Sequence, residues 1–355
     1  MTGPKPIAGS AAWRGDEMAR STRWLRPLDE RAVEEIDAAL RAAQAQGVPW
    51  HETTRDCFPL PTLAAMLAEV ARELEDGGGL VTLRGLPVAR YAPEELRQIW
   101  LGLGCHLGQP VFQNRRGELM REIRDEGRDV GERYGQIPAP AGEPGVVLSS
   151  YARTLSNGRL RFHTDRSDVV GLLCARQAQT GGVSKLASAV AVHNEMLARR
   201  PDLAAVLYGD VYRSRFGEEA DHPDVVYPLP IFGVRDGKLT SHYSLTYIEI
   251  AQMVPGVPAL SAAQHEAIEL LMTLAEELAF ATRLEPGDMQ FLNNHVIYHA
   301  RTAFEDDAAR GQVRLLYRLW LSMPNSRALP AGHEVLWGST GAGALRGGIG
   351  QVAAP

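Results

Sequence analysis

Apolar residues along this chain fall first into helical and then into strand-like spacing. From Asp29 to Ala45, Val33, Ile36 and Leu40 recur every three or four positions, which predicts an amphipathic helix stopped by Gly47 and Pro49. A second helix is expected from about Pro61 to Leu74, ended by Gly77-Gly78-Gly79, and a third from Pro93 to about Leu107. Between them Leu80-Val81-Thr82-Leu83-Arg84 is a short apolar run closed by Gly85, the pattern of a buried strand. Later runs predict strands at Val146–Leu148, Leu160–His163, Asp168–Arg176, Val183–Ser188, Met289–Asn293 and Val313–Ser322. Helices interrupt them at Met196–Tyr208, broken at Pro201, and at Ser261–Arg283. In the last, Ser261 sits as the cap and Leu270, Leu271, Leu274 and Leu278 form the apolar face.

The polar stretches between these elements set the expected organisation. Residues 113–145 lack a period and read as a long surface loop, a kind of segment that often serves as a lid. A second polar connection runs from about Arg213 to Tyr227 and carries Glu218, Glu219 and Asp221, read as a solvated charge cluster. The whole chain, 1–355, is expected to form one domain. It would comprise a loose N-terminal arm (1–25), a helical and β part (26–110), a strand-rich core (146–322) and a flexible tail (339–355). That distribution suits a mainly β fold with helical additions, a sandwich or barrel buttressed by helices.

Composition narrows the class of partner. With 45% hydrophobic and 23% charged residues, the chain has the balance of an ordinary globular protein. The net charge of −6, without any basic block, argues against nucleic acid and fits a small-molecule substrate. Cys57, Cys105 and Cys174 show no CxxC spacing and cannot form an even disulfide framework, so a reducing cytoplasm is expected. No run approaches the roughly 18 apolar residues of a membrane span, and the first residues lack an apolar signal core. A homo-oligomer would be ordinary.

The chemistry begins at Arg161-Phe162-His163-Thr164-Asp165. In a strand, positions i and i+2 point the same way, so His163 and Asp165 would present an imidazole and a carboxylate on one face. Alone, such a pair is common. A second histidine, His299, follows an apolar strand and Asn293-Asn294. Two histidines and one carboxylate make a facial triad that leaves iron(II) positions open for O2. A third feature is Arg314-Leu315-Leu316-Tyr317-Arg318-Leu319-Trp320-Leu321-Ser322, in which Arg314, Leu316 and Arg318 share one face. Two arginines on an apolar strand are costly unless each meets an anion, and guanidinium binds carboxylate through two parallel hydrogen bonds.

In order along the chain, these parts resemble the taurine dioxygenase and 2,4-dichlorophenoxyacetate dioxygenase family of iron(II)/2-oxoglutarate oxygenases, which includes clavaminate-synthase-like enzymes. The resemblance covers about Leu80 to Ser322. It rests on Leu160–Asp165, on Gly181-Gly182-Val183-Ser184, on Asn294–Phe304 and on the arginine strand. It implies a distorted double-stranded β-helix, or jelly roll, with His163, Asp165 and His299 holding Fe(II). It implies that Arg314 and Ser184 bind the co-substrate 2-oxoglutarate, with O2 as oxidant and succinate and CO2 as products. Arg318 would meet an anionic group of the substrate, although its role could be exchanged with that of Arg314. Because Asp165 is present where halogenating relatives lack a carboxylate, hydroxylation, desaturation or ring closure is expected. Ala300 and His295 depart from the family pattern of Gly and of Arg or Trp.

Ser149, Ser150, Tyr151, His242, Tyr243 and Tyr247 are weaker candidates for pocket contacts, and Asp288 is expected to be structural. Two competing readings use the same residues: a zinc or manganese hydrolase or isomerase, and a non-catalytic jelly-roll binding protein.

Overall fold

The computed structural model describes residues 4–139, 145–219 and 225–350. Helices form where the spacing asks for them. Asp29 caps Glu30–Ala45 by accepting the Ala32 N–H at 2.8 Å, and Val33, Ile36, Ala39, Leu40 and Ala43 turn inward. Leu63–Asp76 and Pro93–Leu107 pack beside it, with the strand Leu80–Arg84 between them in sequence. Ser261 caps Ala262–Leu278 through the Gln264 N–H, and Leu271, Leu274 and Leu278 are buried while Leu270 is half-exposed.

Two sheets carry the site. The larger has seven strands, in the order Leu25–Pro27, Leu80–Arg84, Met289–Asn293, Val169–Arg176, Leu315–Ser322, Gln109–Pro110, with Met120–Ile123 also paired to Leu315–Ser322. The smaller has four, in the order Phe280–Thr282, Ser184–Ser188, Ile297–Arg301, Leu160–His163. All neighbours are antiparallel except Leu25–Pro27 on Leu80–Arg84. The chain passes from one sheet to the other between His163 and Val169 and again between Asn293 and Ile297.

Strand alternation decides what faces the gap. Leu315, Tyr317, Leu319 and Leu321 point away from it and join Leu67, Val70, Ile99 and Trp100 of the N-terminal helices in one buried cluster. Arg314, Leu316 and Arg318, of opposite parity, line a narrow cavity together with residues of the smaller sheet. Ala189–Arg199 and Ala262–Leu278 cover that sheet's strand Ser184–Ser188.

Several expectations are corrected. The arm is not loose: Trp13 is 2% exposed and its indole donates to the Gly78 carbonyl at 2.9 Å, while the Ile7 main chain donates to and accepts from the Asn194 side-chain amide, both at 2.8 Å. Periodicity misses such a segment because isolated anchors, not a repeating face, hold it. The tail is likewise anchored, at Arg346, Gly348 and Ile349, which are buried, although 341–343, Leu345 and Gly350 are exposed; residues 351–355 lie outside the described residues. The 113–145 stretch contributes Met120–Ile123 to the larger sheet and pairs Gln136–Pro138 with Val146–Leu148. The helix expected from Met196 starts at Ala189, and the one expected to reach Arg283 ends at Leu278, after which Phe280–Thr282 is a strand. The connection from Arg213 to Tyr227 begins and ends inside a paired hairpin, Asp210–Ser214 with Val226–Pro230.

Candidate metal and co-substrate site

His163 and His299 are direct partners across the antiparallel pair Leu160–His163 and Ile297–Arg301, so register alone brings their rings to 4.1 Å between centroids. Asp165 lies two residues on. Its Oδ1 is 3.9 Å from His163 Nε2, and its Oδ2 is 3.9 Å from His299 Nε2. The three ligand atoms all lie within 4.8 Å of one another, in a cavity where His163 and Asp165 are each 7% exposed. The His163 Nδ1–H donates to its neighbour's carbonyl on Arg161 at 2.8 Å, leaving Nε2 with its lone pair toward the carboxylate.

Electrostatics favour the metal-binding forms. Burial pushes His163 below the usual histidine range, and burial with repulsion from His163 brings His299 down to about 3. Burial by itself would raise Asp165, but Arg318, His299 and His163 outweigh it and hold the carboxyl below its usual range. Neutral imidazoles and an ionised carboxylate are the donor set a divalent cation needs. The residues fit iron.

The second half of the site is cationic. Arg314 is 3% exposed, and its Nε and Nη1 have no hydrogen-bond partner. Burial brings its pKa down to about 10. Gly182 stands against it: a Cβ there would come within 3.0 Å of the Arg314 Nε, and its φ of +65° is the left-handed region glycine favours. Ser184 lines the same cavity, as do apolar residues that include Leu160, Leu172 and Leu316. A buried guanidinium with unused donors, close to a hydroxyl and a metal-type triad, is a cradle for a small carboxylate.

Arg318 is engaged on both sides. Its Nε donates to Gln113 Oε1 at 2.7 Å, its Nη1 lies 3.6 Å from Asp165 Oδ2, and its guanidinium covers the Trp320 ring at 4.6 Å. The Trp320 indole donates to Asp165 Oδ2 at 2.9 Å.

Other expected contacts fall elsewhere. Ser149 is fully buried, caps Ser150–Thr154 by accepting the Ala152 N–H, and donates to the Tyr134 carbonyl; neither it nor Ser150 lines the cavity. Tyr243 is buried against Tyr298, and its main chain rather than its hydroxyl serves the site: its carbonyl accepts the Thr164 N–H at 2.8 Å. Tyr151 hydrogen-bonds with Asn114 in a separate, outer pocket. Both His242 ring nitrogens are buried without a partner. Glu218 and Glu219 are not a solvated cluster. They pair with buried Arg166 at 3.2 and 2.8 Å, and Tyr247 donates to Glu218; Asp221 lies outside the described residues. Asp288 takes Arg84 through two bonds of 2.7 and 2.6 Å, the structural role expected.

Sequence reasoning missed Asn294, whose Oδ1 accepts the Asp165 N–H at 3.0 Å and whose Nδ2 donates to the Ser167 carbonyl at 2.9 Å. It also missed Gln113, Trp320 and Arg301. Trp320 was within reach, since it shares the parity of Arg318 on one strand. Arg301 lines the cavity, donates to the Ser156 and Gly158 carbonyls at 2.6 Å, and is brought down to about 9 by burial and by Arg314. Nothing in the sequence near Gln113 pointed to Arg318.

Residues 44–320 match the Taurine catabolism dioxygenase TauD, TfdA family. The chain belongs to this family. As a member it is 31% identical over 334 residues to FR-33289 synthase of Streptomyces rubellomurinus, covering 92% of this chain and 93% of that protein. It is 30% identical over 316 residues to Taurine hydroxylase-like protein SAT17 of Stachybotrys chartarum, covering 86% and 78%. Among solved structures it is similar to asparagine oxygenase in complex with Fe(II), 2S,3S-3-hydroxyasparagine and succinate. That match has a TM-score of 0.61 at 19% identity and covers 84% of this chain and 94% of that one. It is also similar to the non-heme iron oxygenase OrfP in complex with Fe and alpha-ketoglutaric acid, with a TM-score of 0.56 at 16% identity and coverage of 84% and 94%. At these identities the structural likeness carries the mixed helix-and-strand fold. No helix among the described residues is long and apolar enough to cross a membrane.

Proposed function

We propose that this family member is an iron(II)- and 2-oxoglutarate-dependent oxygenase that hydroxylates a C–H bond of a small, carboxylate-bearing molecule. His163, Asp165 and His299 would hold the iron, Arg314 and Ser184 the co-substrate, and Arg318 an anionic group of the substrate. On this reading the two facing sheets are the walls of a distorted jelly roll, and the whole chain is a single domain. The three cysteines are free, which suits a reducing cytoplasm.

The observation that carries the reading is Arg314, a buried cation with unused donors in the same cavity as the triad. A dicarboxylate co-substrate chelating a metal at the triad needs such a group for its far carboxylate, whereas metal-assisted hydrolysis as such does not call for one. Iron bound to the triad would supply O2 activation, coupled to conversion of 2-oxoglutarate to succinate and CO2, with one oxygen atom passing to the substrate C–H. The protein's own contribution is orientation and dryness. Trp320 fixes the Asp165 carboxylate, the Arg161 carbonyl fixes the His163 ring, and Gln113 holds Arg318 beside the triad. Leucine and valine side chains of both sheets keep bulk water from the reacting centre. Small acids fit Arg318, and the ligands in the asparagine oxygenase and OrfP complexes, 3-hydroxyasparagine and 3-hydroxy-L-Arg, are amino acids that carry one.

The test is anaerobic addition of Fe(II) and 2-oxoglutarate, followed by visible absorption and then by succinate release on admitting O2. A charge-transfer band and O2-dependent succinate are expected, both absent in His163→Ala. Iron binding without a band or succinate would overturn the co-substrate assignment and favour the hydrolase or isomerase.

A further inference from the structure

We propose that Arg346-Gly347-Gly348-Ile349 is a clasp that positions Asp165 and Arg318, so that the far C-terminal segment sets metal affinity. The proposal rests on the metal reading above. The segment lies beyond residues 44–320, which match the family, and it packs against both halves of the site.

Its first hold is on Asp168, three residues after Asp165. That carboxylate is 2% exposed and takes the Arg346 Nε at 2.8 Å, the His295 Nε2 at 2.8 Å and the Met323 N–H at 2.9 Å. The arginine is fixed in turn by the Arg327 carbonyl at 2.8 Å and the Gly341 carbonyl at 3.2 Å. A buried carboxylate that loses such a partner is costly, and the backbone moves to find another. The second hold is main-chain: the Gly348 N–H donates to the Arg166 carbonyl at 2.6 Å. Both glycines have φ near +77°, and neither has room for a side chain. A Cβ on Gly347 would stand 2.6 Å from the Arg166 oxygen, and one on Gly348 would stand 2.9 Å from the Phe112 oxygen.

The third hold joins the other half of the site. The Ile349 N–H donates to the Phe112 carbonyl at 2.8 Å, and the next residue, Gln113, both accepts from Arg318 Nε and donates to the Arg318 carbonyl at 2.7 Å. The clasp is therefore wedged between residues 166–168, which continue from Asp165, and residues 112–113, which hold Arg318. His295, a departure from the family pattern, gains a reason: its Nε2 shares Asp168 with Arg346, its Nδ1 bonds the Thr240 hydroxyl at 2.7 Å, and Trp337 stacks on it at 4.7 Å.

Linkage makes this testable in the unmodified protein. If the clasp favours the metal-binding arrangement, metal must favour the closed clasp by the same factor. Hydrogen exchange of the 346–350 amides is measured anaerobically with and without Fe(II), beside Fe(II) titrations of wild type, Arg346→Ala, Arg346→Lys and Gly348→Ala. Fe(II) should slow exchange of those amides several-fold. Arg346→Ala and Gly348→Ala should each weaken Fe(II) binding about tenfold, the lower end of what disturbed ligand supports cost, since each acts on Asp165 and Arg318 through the neighbouring main chain. With 2-oxoglutarate then added, they should also shift the charge-transfer band, and Arg346→Lys should recover part of the affinity. Iron affinity within about twofold of wild type and amides indifferent to iron would overturn the clasp alone. A wild type that binds no Fe(II) would sink the oxygenase reading and the clasp with it. Should the variants fail to fold, the exchange measurement on wild type decides.

Discussion

Replacing Arg314 with methionine should stabilise the metal-free protein while costing it the dicarboxylate. In the absence of an anion, Arg314 is a buried cation with two unused donors, and its neighbour Arg301 repels it. The fall of its pKa from 12.5 to about 10 corresponds, at ~1.4 kcal/mol per tenfold, to about 3 kcal/mol of unfavourable burial. Methionine fills similar space without charge. Some of that cost returns as imperfect packing, so a net gain of about 1–3 kcal/mol is expected. The affinity for 2-oxoglutarate should fall in the opposite sense. Removing one partner of a buried charge pair costs about 2–5 kcal/mol, or roughly 30-fold to several thousand-fold. Urea unfolding of the metal-free proteins measures the first effect; anaerobic titration of the charge-transfer band with 2-oxoglutarate measures the second. As a cross-check, saturating 2-oxoglutarate added to the iron-loaded proteins should raise the stability of wild type by more than that of the variant, which keeps the metal triad. A variant that loses more than about 1 kcal/mol of stability would show Arg314 to be paired in the fold itself, and one that binds 2-oxoglutarate within threefold of wild type would show that Arg314 does not hold the dicarboxylate; either result would refute the argument.

Three further outcomes are expected. His163→Ala and His299→Ala should each abolish Fe(II) binding at micromolar metal, read by equilibrium dialysis, with the fold kept by circular dichroism. Trp320→Phe removes the indole bond to Asp165 Oδ2 and should weaken Fe(II) binding by about 10-fold, in line with the ~1.5–3 kcal/mol of a charged hydrogen bond; unchanged affinity would show the bond to be incidental. Stability should fall steeply as pH drops below about 6.5. Burial holds His163, His193, His242, His295, His299 and His333 below the usual range, so the unfolded chain takes up protons there that the folded protein refuses. Each contributes at most ~1.4 kcal/mol per pH unit, from about 6.5 down to its folded value, and urea midpoints equal at pH 7.5 and 5 would contradict this.

Much of this site was legible before any fold was known. The i, i+2 spacing of His163 and Asp165, the second histidine after an apolar strand, and the parity of Arg314 and Arg318 are local facts of strand geometry. They pointed to one side of a strand or of its immediate end, and the structure brings these residues into one cavity. The strands Leu80–Arg84 and Met289–Asn293 and the helix Pro93–Leu107 lie where the apolar pattern put them, because each buries a continuous face. Serine pairs and tyrosines offered no such constraint. Ser149 became a helix cap, a role that suits its hydroxyl but that a five-residue helix without an apolar period does not announce, and Tyr243 became a backbone acceptor, a use to which its side chain gives no clue.

The sequence by itself therefore determined the longer apolar elements and their inward faces and offered the candidate ligand types, since these follow from periodicity and side-chain chemistry within a few residues. Only the tertiary structure decided what fixes those ligands. Asn294 reaches Asp165 across 129 residues, Gln113 reaches Arg318 across 205, and Arg346 reaches Asp168 across 178. Hydrogen bonds between polar groups so far apart leave no periodic trace, and isolated anchors such as Trp13 and Ile349 look no different in sequence from the residues of a loose end. Their partners come within reach only when the two sheets close on each other, and burial then makes an unmade bond expensive enough to fix the arrangement.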